Sequence, residues 1–256
     1  MTNVLVCIKR VPDSSEAVTL TPDGRAVDGR YSGYTMSPHE ECAIEIAASV
    51  AGATGGTVTV LTLGTDEAEE QLRYALSVGA KDAILIEGDP DDFGPRDVAD
   101  AIAEAIRTRE ADGTPVDLVL VGNDAADTGD FQVGIRLAHL LGRPVCAGIK
   151  QVEVDGDVAV MTGDGPEGTE VYEVALPAVA TILEGGVEPR YPSITGRMKA
   201  RKAPVARVTP SGSPRGTGRV VLTVPAPPPS EVTVLGTGAA AAPAVVAMLK
   251  ELGVTR

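Results

Sequence analysis

Residues 118–134 read LVLVGNDAADTGDFQVG, and this stretch carries the clearest fold signal in the chain. Its first part, Leu118–Val121, is an apolar run with the length and β-branched content of a buried strand. A loop of small and acidic residues, Gly122–Gly134, follows directly. In open α/β sheets ligands bind at the carboxyl ends of the strands, where small residues let the backbone approach a phosphate. The stretch therefore predicts a nucleotide-binding loop in which backbone amides, rather than the acidic side chains, contact the phosphate. The alternative interpretation is a flexible polar connection.

Further apolar runs of strand length precede this one in the first half of the chain. They are Val4–Ile8, Thr57–Leu63 and Ala83–Ile86. Helical segments with clear start signals separate them. Ser37-Pro38-His39-Glu40 combines an N-cap serine, a proline at the first helical position and a glutamate at the third, which is a capping box. Further helices start at Thr65-Asp66 and at Pro95. Strands alternating with helices predict an α/β fold with a parallel sheet and right-handed crossovers.

The chain departs from this alternation in three places. Residues 16–30 carry the turn Pro22-Asp23-Gly24 between short extended stretches and predict an inserted hairpin. After Leu141-Gly142, short strands follow with Asp155-Gly156-Asp157 as a hairpin turn. These strands are Ile149–Val154, Val158–Thr162, Glu170–Ala175 and Ala178–Leu183. Beyond Pro204 the chain is rich in Pro, Ser and Gly, which predicts an extended arm. The apolar stretch Ala239–Leu252 predicts a terminal helix that docks either on a partner or on its own domain.

The composition limits the class of protein. The chain has 256 residues, of which 43 % are hydrophobic and 23 % charged, as in ordinary globular proteins. Its formal net charge of −14 argues against binding to nucleic acid or to an anionic membrane surface. The first residues, MTNVLVCIKR, resemble neither a signal peptide nor a transit segment. No apolar run approaches the roughly 18 to 20 residues that span a bilayer. These features predict a cytoplasmic protein without membrane insertion.

Residues that could carry covalent or metal chemistry are few. Cys7, Cys42 and Cys146 are widely spaced and predict reduced, mostly buried thiols rather than disulfides or a metal site. His39 and His139 are too far apart in sequence to suggest metal ligands. The chain contains no Walker loop, no dinucleotide G-x-G-x-x-G after the first strand and no nucleophile elbow. The sequence therefore predicts a protein that is not an enzyme and has no metal site.

A basic segment, residues 188–202, stands out in this acidic chain. It reads EPRYPSITGRMKARK and places the apolar Ile194 in a Pro-rich loop among basic residues. Such a loop can present an apolar anchor to a partner while its charges orient the encounter. A solvated charge run is the alternative.

Five motifs in order resemble the electron-transfer flavoprotein beta-subunit family. The start VLVCIKRVPD, residues 4–13, is similar to the family's V-x-V-K-x-V-x-D, and DLVLVG, residues 117–122, to the strand before its nucleotide loop. LPAVAT, residues 176–181, follows Glu170 and resembles the family's signature segment. Glu188-Pro189-Arg190-Tyr191 and Met198-Lys199-Ala200 resemble its E-P-R-Y and M-K-A-K. The resemblance covers residues 3–208 well and the C-terminal arm loosely.

The resemblance implies a Rossmann-like three-layer α/β fold of the adenine-nucleotide-binding type, with added short strands and an extended C-terminal arm. It implies a nucleotide-binding domain over residues 1–208, with a hairpin insert at 14–35 and a recognition loop at 188–202. Residues 209–256 would form the arm and terminal helix that clasp the alpha subunit. The cofactors implied are AMP, held structurally by this chain, and FAD, held mainly by the alpha subunit. Positions that match the AMP site are Cys7, Ser37, Pro38, His39, Glu40, Leu63, Gly122, Asn123, Asp124, Ala125, Ala126, Asp127, Thr128, Gly129, Asp130, Phe131, Gln132 and Val133.

The family's role implies electron transfer without bond chemistry in this chain. Ser14 and His39 match positions that approach the flavin, although His39 stands where the family often has an aromatic residue. Ile194 matches the anchor that docks into dehydrogenases, and Arg197 and Lys199 flank it. The implied partners are the alpha subunit, flavin dehydrogenases such as acyl-CoA dehydrogenase, and a quinone oxidoreductase that accepts the electrons.

Other assignments stay open at this point. The Q-V-G that ends the loop resembles members that hold a second FAD in place of AMP and bifurcate electrons, whereas Thr128–Phe131 match neither pattern. A stand-alone adenine-nucleotide-binding regulatory protein would explain the α/β half and the loop, but not the strands after residue 150, the arm or Glu188–Lys202. An adenylate-forming enzyme would need an H-x-G-H or S-G-G-x-D-S motif, and neither occurs.

Overall fold

A mostly parallel β-sheet with helices on both faces forms the larger part of the protein. The structure is a computed structural model that describes residues 1–13, 18–30, 33–218, 221–226, 229 and 232–255. The strands are β1 (Val4–Cys7), β2 (Val11–Pro12), β3 (Tyr34–Thr35), β4 (Val58–Gly64), β5 (Asp82–Glu87), β6 (Leu118–Gly122), β7 (Val145–Asp155), β8 (Val158–Gly165), β9 (Gly168–Ala175), β10 (Ala178–Ile182) and β11 (Val205–Val208). The helices are α1 (Pro38–Thr54), α2 (Glu69–Val78), α3 (Pro95–Ala111), α4 (Val133–Leu141), α5 (Ile194–Ala200) and α6 (Ala242–Glu251).

The order of the strands creates a natural ligand site. Within the described ranges, nine strands form one sheet in the order β11-β5-β4-β1-β6-β10-β7-β8-β9. All neighbouring pairs are parallel except β7–β8 and β8–β9. The chain builds outward from β1 through β4 and β5 and then crosses back to β6 on the other side of β1. At such a reversal the loops after the central strands diverge and leave a crevice at their carboxyl ends. The Rossmann-like α/β fold expected from the sequence is confirmed.

Alternation along the strands divides the core into two layers. Val4 and Val6 of β1 pack into a cluster with residues of α1 and α2. Leu5 and Cys7 point to the opposite face, into a cluster with residues of α3 and α4. Because successive side chains of a strand point to opposite faces, a strand covered on both faces is apolar throughout. This explains why the four apolar runs of the first half contain no charged residue.

The starts of the helices follow the sequence signals, with one difference. At α1 the Ser37 side chain accepts a hydrogen bond from the Glu40 backbone, and the Glu40 carboxylate accepts one from the Ser37 backbone. At α3 the Asp97 carboxylate accepts from the Gly94 backbone N–H. Thr65 makes no side-chain cap, and a single 3-10 turn, Asp66–Ala68, precedes α2.

The predicted insert forms a short hairpin beside β1. Leu20 and Val27 form an antiparallel bridge, and Gly24 adopts a left-handed φ of 65° at the turn. β2 and β3 pair in an antiparallel ladder at its base. Residues 14–17 and 31–32 lie outside the described residues, so the expectation for Ser14 has no structural counterpart here.

Two segments differ from the sequence expectation in secondary structure. The recognition segment at 188–202 contains a helix, α5, rather than a loop throughout; Ser193 caps it by accepting from the Gly196 N–H at 3.0 Å. β11 adds an edge strand directly after Pro204, where the sequence suggested the start of the irregular arm.

The chain divides into two compact units, residues 1–223 and 224–256. Residues 209–223, which the sequence analysis assigns to the arm, belong to the first unit. The second unit contains α6, whose Val245 and Val246 are exposed. Among the described residues no helix is both long and apolar enough to cross a membrane.

Candidate functional site

A cavity of about 450 Å³ opens at the carboxyl ends of β1, β4 and β6. Its volume lies in the range typical of small-molecule sites. The sequence-predicted residues that line it are Cys7, Glu40, Leu63, Gly122, Asp124, Ala125, Asp127, Thr128, Asp130 and Val133. Residues from β1, α1, β4, the loop after β6 and the start of α4 thus meet around one space.

The floor of the cavity is apolar. Cys7, Leu63 and Val121 come from three adjacent strand ends, and all three side chains are buried. Burial, and to a lesser degree the nearby Glu40 carboxylate, raise the pKa of the Cys7 thiol. Cys7 is therefore a neutral apolar surface rather than a nucleophile, because reactivity requires the thiolate. Such a floor suits the flat face of a nucleobase.

Glu40 connects the start of α1 to the segment that follows β1. Its Oε2 accepts hydrogen bonds from the Ser37 backbone N–H at 2.9 Å and from Ser37 Oγ at 2.6 Å. Its Oε1 accepts from the Lys9 backbone N–H at 2.8 Å. Burial raises the pKa of Glu40 to about 7, although the hydrogen bonds from Ser37 and Lys9 oppose the shift. The carboxyl is thus a buried, titrating wall of the cavity.

Gly122 ends β6 and Asn123 follows it, and the two residues have different roles. Gly122 lies against Glu40, and a Cβ added there would be 3.3 Å from Glu40 Cγ. Asn123 points away from the cavity lining: its Oδ1 accepts from the Gly148 N–H at 3.1 Å and from Thr181 Oγ1 at 2.7 Å. Asn123 therefore fixes the loop to β7 and β10.

The remainder of the loop and the start of α4 provide polar groups that could bind a ligand. Thr128 Oγ1 is buried and has no hydrogen-bond partner within the described residues. Gln132 gives α4 no side-chain cap, and the first helical residue, Val133, lines the cavity. The N-terminus of a helix presents unpaired N–H groups and the positive end of the helix dipole, which together favour a phosphate. Within the described residues, the apolar floor, the helix start without a side-chain cap and the unpaired hydroxyl suit a ligand that has a flat apolar part and an anionic group.

Charged side chains around the mouth are mostly paired. Lys9 Nζ lies 2.6 Å from Asp127 Oδ1 and so joins the end of β1 to the loop. Arg10 stacks its guanidinium 3.5 Å above the Tyr34 ring and lies 3.1 Å from Glu67. Sequence reasoning missed Lys9, Arg10 and Tyr34 as site residues. The position of Lys9 and Arg10 directly after β1 is the signal that could have revealed them.

His39 lies beside the cavity rather than in its lining. Its Nδ1 is 3.0 Å from Asp124 Oδ1 without hydrogen-bond geometry, and its Nε2 contacts the Glu184 carboxylate. The imidazole therefore bridges the nucleotide loop and the segment after β10. Glu184 carried no motif and was not predicted.

The other predicted positions of the nucleotide site fall outside the lining. They are Ser37, Pro38, Asn123, Ala126, Gly129, Phe131 and Gln132. Ser37 acts through the α1 cap, and Gln132 Oε1 accepts from the Arg136 guanidinium at 2.8 Å. Phe131 is 62 % exposed.

The predicted docking residues form a separate surface on α5. Ile194 is 82 % exposed and Met198, one turn later, 62 %. Gly196 lies against the backbone carbonyl of Ser77 so closely that a Cβ would not fit, and Arg73 Nη1 donates to the Ala200 carbonyl at 2.8 Å. Arg197 and Lys199 lie on the same helix. The helix is fixed on α2 and presents two apolar side chains outward.

Comparisons with known proteins agree on one family. A family model described as an electron transfer flavoprotein domain matches residues 27–213. The electron transfer flavoprotein subunit beta of Syntrophomonas wolfei is 38 % identical over 206 residues, which cover 79 % of this chain and 78 % of the relative. That of Bacillus subtilis is 36 % identical over 205 residues, covering 79 % and 77 %. That of Megasphaera elsdenii is 33 % identical over 204 residues, covering 78 % and 75 %. This chain therefore belongs to the electron transfer flavoprotein beta-subunit family.

Proposed function

We propose that this chain is the beta subunit of a heterodimeric electron-transfer flavoprotein. It binds AMP as a structural nucleotide and closes over an FAD that the alpha subunit mainly holds. The observation that carries the proposal is the cavity at the carboxyl ends of β1, β4 and β6, with its apolar floor and the uncapped N-terminus of α4. The chain acts as an electron carrier subunit and performs no bond chemistry of its own.

The residues of the cavity divide the recognition of AMP between them. The floor of Cys7, Leu63 and Val121 receives the base. Backbone N–H groups at the start of α4 bind the phosphate, because the acidic side chains of the loop repel an anion. Thr128 Oγ1 gains the hydrogen-bond partner that it lacks in the ligand-free protein.

The flavin site lies toward His39. FAD, when bound, supplies one-electron transfer, and the protein's contribution is to position it and to tune its potential. His39 is held on both sides, by Asp124 and Glu184, so its imidazole presents a fixed polar face there. Ser14 is the second residue that we assign to this neighbourhood.

The surface of α5 serves the exchange of electrons with other proteins. Ile194 enters a pocket on a flavin dehydrogenase such as an acyl-CoA dehydrogenase, while Arg197 and Lys199 steer the encounter. A small apolar anchor with charge steering gives fast association and fast release, which a carrier needs. The electrons then pass to a quinone oxidoreductase. The terminal arm and α6 contact the alpha subunit.

The competing assignments explain fewer of these features. A stand-alone nucleotide-binding regulator would use the cavity but would have no role for a fixed helix that exposes Ile194 and Met198. A second FAD in place of AMP would need room for a dinucleotide in a cavity of about 450 Å³.

The test is to co-express the chain with its alpha subunit, purify the complex, denature it and count the released nucleotides by chromatography. We expect one FAD and one AMP per heterodimer. Two FAD and no AMP would replace the AMP assignment with the bifurcating one. A chain that copurifies with neither flavin nor a partner would refute the electron-transfer assignment.

A further inference from the structure

A strap of residues 210–218, which follows β11, is fastened along α3. The Ser211 N–H donates to Glu104 Oε2 at 3.1 Å, and the Arg215 N–H donates to Asp97 Oδ2 at 2.9 Å. Arg215 Nη1 also lies 3.7 Å from Asp100 Oδ2. The three acidic residues are spaced so that they lie along one face of α3. Hydrogen bonds from the backbone to carboxylates therefore hold the strap to its own domain.

The end of the strap forms part of the cavity. Thr217 is in the lining, and so is Leu222 a few residues later. The Leu222 N–H donates to the Gly24 carbonyl at 2.7 Å, and Ala26 and Val27 of the same hairpin also line the cavity. The strap and the inserted hairpin thus complete the wall that the strand ends and their loops do not supply.

The strap approaches the start of α3 at van der Waals distance. A Cβ added at Gly94 would lie 2.6 Å from the Gly216 carbonyl oxygen. Asp97, which is 7 % exposed, accepts from both the Gly94 and the Arg215 N–H, so one carboxylate fixes the helix start and the strap together. The position of this wall is therefore closely defined.

We infer that the strap is a specificity element that restricts the cavity to an adenine mononucleotide. The inference rests on the proposed function, since it concerns the same cavity. A dinucleotide has more than twice as many non-hydrogen atoms as AMP, so its second half needs room beyond that of the mononucleotide, and Thr217, Leu222 and the hairpin occupy one side of the cavity. The cavity of about 450 Å³ is bounded on this side by Thr217 and Leu222, so their position limits the room for that second half. Displacing the strap therefore admits longer ligands.

Gly94→Ala is the variant of choice because it leaves every hydrogen-bonding group in place. Gly94 has φ −79° and ψ 169°, which alanine adopts freely, and the methyl group would come closest to the Gly216 carbonyl oxygen of the strap. Arg215→Pro is the second variant, because proline removes the N–H that Asp97 accepts. Gly52→Ala is the control: apart from the helix's own backbone, no described residue lies within 4 Å of a Cβ at this exposed position of α1.

The experiment measures dissociation constants of AMP and ADP-ribose by calorimetry on the heterodimer after nucleotide removal. ADP-ribose is AMP extended by a second phosphate and ribose. We expect the wild type and Gly52→Ala to bind AMP at least 100-fold more tightly than ADP-ribose. Gly94→Ala and Arg215→Pro should each reduce this ratio at least tenfold, mainly through tighter binding of ADP-ribose.

Two results would overturn the inference: equal affinity of the wild type for both nucleotides, or an unchanged ratio in both strap variants. A wild-type heterodimer that binds neither nucleotide would instead refute the proposed AMP site itself. The two failures are thus distinguishable in the same titration.

Discussion

The carboxylate of Glu40 accepts a hydrogen bond from the backbone N–H of Lys9, with 2.8 Å between Oε1 and the nitrogen. This contact connects the start of α1 to the end of β1 across the floor of the cavity. It also places a buried acid beside the space that we assign to an anionic ligand. Glu40 therefore influences both the stability of the fold and the charge of the site.

Glu40→Gln should make stability less sensitive to pH. Burial raises the pKa of Glu40 from 4.5 to about 7, so the folded state retains a proton that the unfolded chain releases. The contribution of Glu40 to stability is present below pH 4.5 and is lost as the pH rises through 7. Between pH 4.5 and 8 the free energy of unfolding of the wild type should fall, relative to that of Glu40→Gln, by about 3 kcal/mol. Urea denaturation at a series of pH values measures this difference.

Glu45 provides a control of opposite sign. The Arg190 guanidinium, which lies 2.6 Å from Glu45 Oε1, holds the pKa of that carboxyl below its ordinary value. The advantage of the wild type over Glu45→Gln should therefore be present above pH 4.5 and disappear as the pH falls below it. A wild-type curve that runs parallel to that of Glu40→Gln would show that Glu40 titrates normally.

Thr128→Val should separate ligand binding from stability. Among the described residues Thr128 Oγ1 is buried without a hydrogen-bond partner, so its removal breaks no hydrogen bond there and should leave the melting temperature unchanged or higher. If the hydroxyl bonds to the nucleotide, AMP affinity should fall about threefold to tenfold, the value of one neutral hydrogen bond. Calorimetry and thermal denaturation together check the prediction.

Asn123→Ala is the matched opposite, because Asn123 belongs to the same loop but points away from the cavity. It should remove the acceptor of the Thr181 hydroxyl and leave the Gly148 N–H with Thr181 Oγ1 as its remaining acceptor, at a cost of about 1–3 kcal/mol of stability. Its effect on AMP affinity should be smaller than that of Thr128→Val. The reverse order of affinities would exclude Thr128 as the ligand contact.

Much of the site's framework could be predicted from the sequence because it depends on local rules. The capping box at Ser37–Glu40 and the strand that ends at Gly122 are determined by residues close together in sequence, and both occur in the structure. The general position of the cavity then follows from the reversal of strand order at β1. These features need no knowledge of distant contacts.

Other features could not be predicted because distant residues determine them. α5 lies in a Pro-rich segment, and its position depends on Gly196 fitting against Ser77, far away in sequence. From its composition alone, the strap is predicted to be part of an extended arm. In the structure the carboxylates of α3 accept hydrogen bonds from its N–H groups and fix it in place. Asn123 sits in a loop of ligand-binding type, yet its partners on β7 and β10 turn it away from the ligand.

Gly134→Ala should destabilise the fold and disturb the nucleotide loop. A Cβ at Gly134 would lie 2.5 Å from Thr181 Cγ2 and 2.7 Å from Val121 Cγ2, so α4 would have to move away from the sheet. Overpacking of this kind costs about 1–3 kcal/mol. Gly52→Ala, at an exposed position of α1, should instead raise stability by up to about 1 kcal/mol because alanine favours the helix. Equal melting temperatures for the two variants would contradict the close packing of α4.

Ile194→Ala should weaken electron transfer from dehydrogenases without affecting the cofactors. Ile194 is 82 % exposed on a helix that is fixed by other residues, so its truncation leaves the fold intact. Loss of a central apolar anchor typically costs more than 1 kcal/mol of binding, which corresponds to a roughly tenfold higher KM for the carrier in a dehydrogenase assay. Val171→Ala removes another exposed apolar side chain, 61 % exposed on β9, and serves as the control. An unchanged KM in Ile194→Ala, or an equal increase in both variants, would show that α5 is not the docking surface. A decrease in bound FAD or AMP would instead indicate that the substitution acts through the fold, because the side chain lies outside the cavity lining.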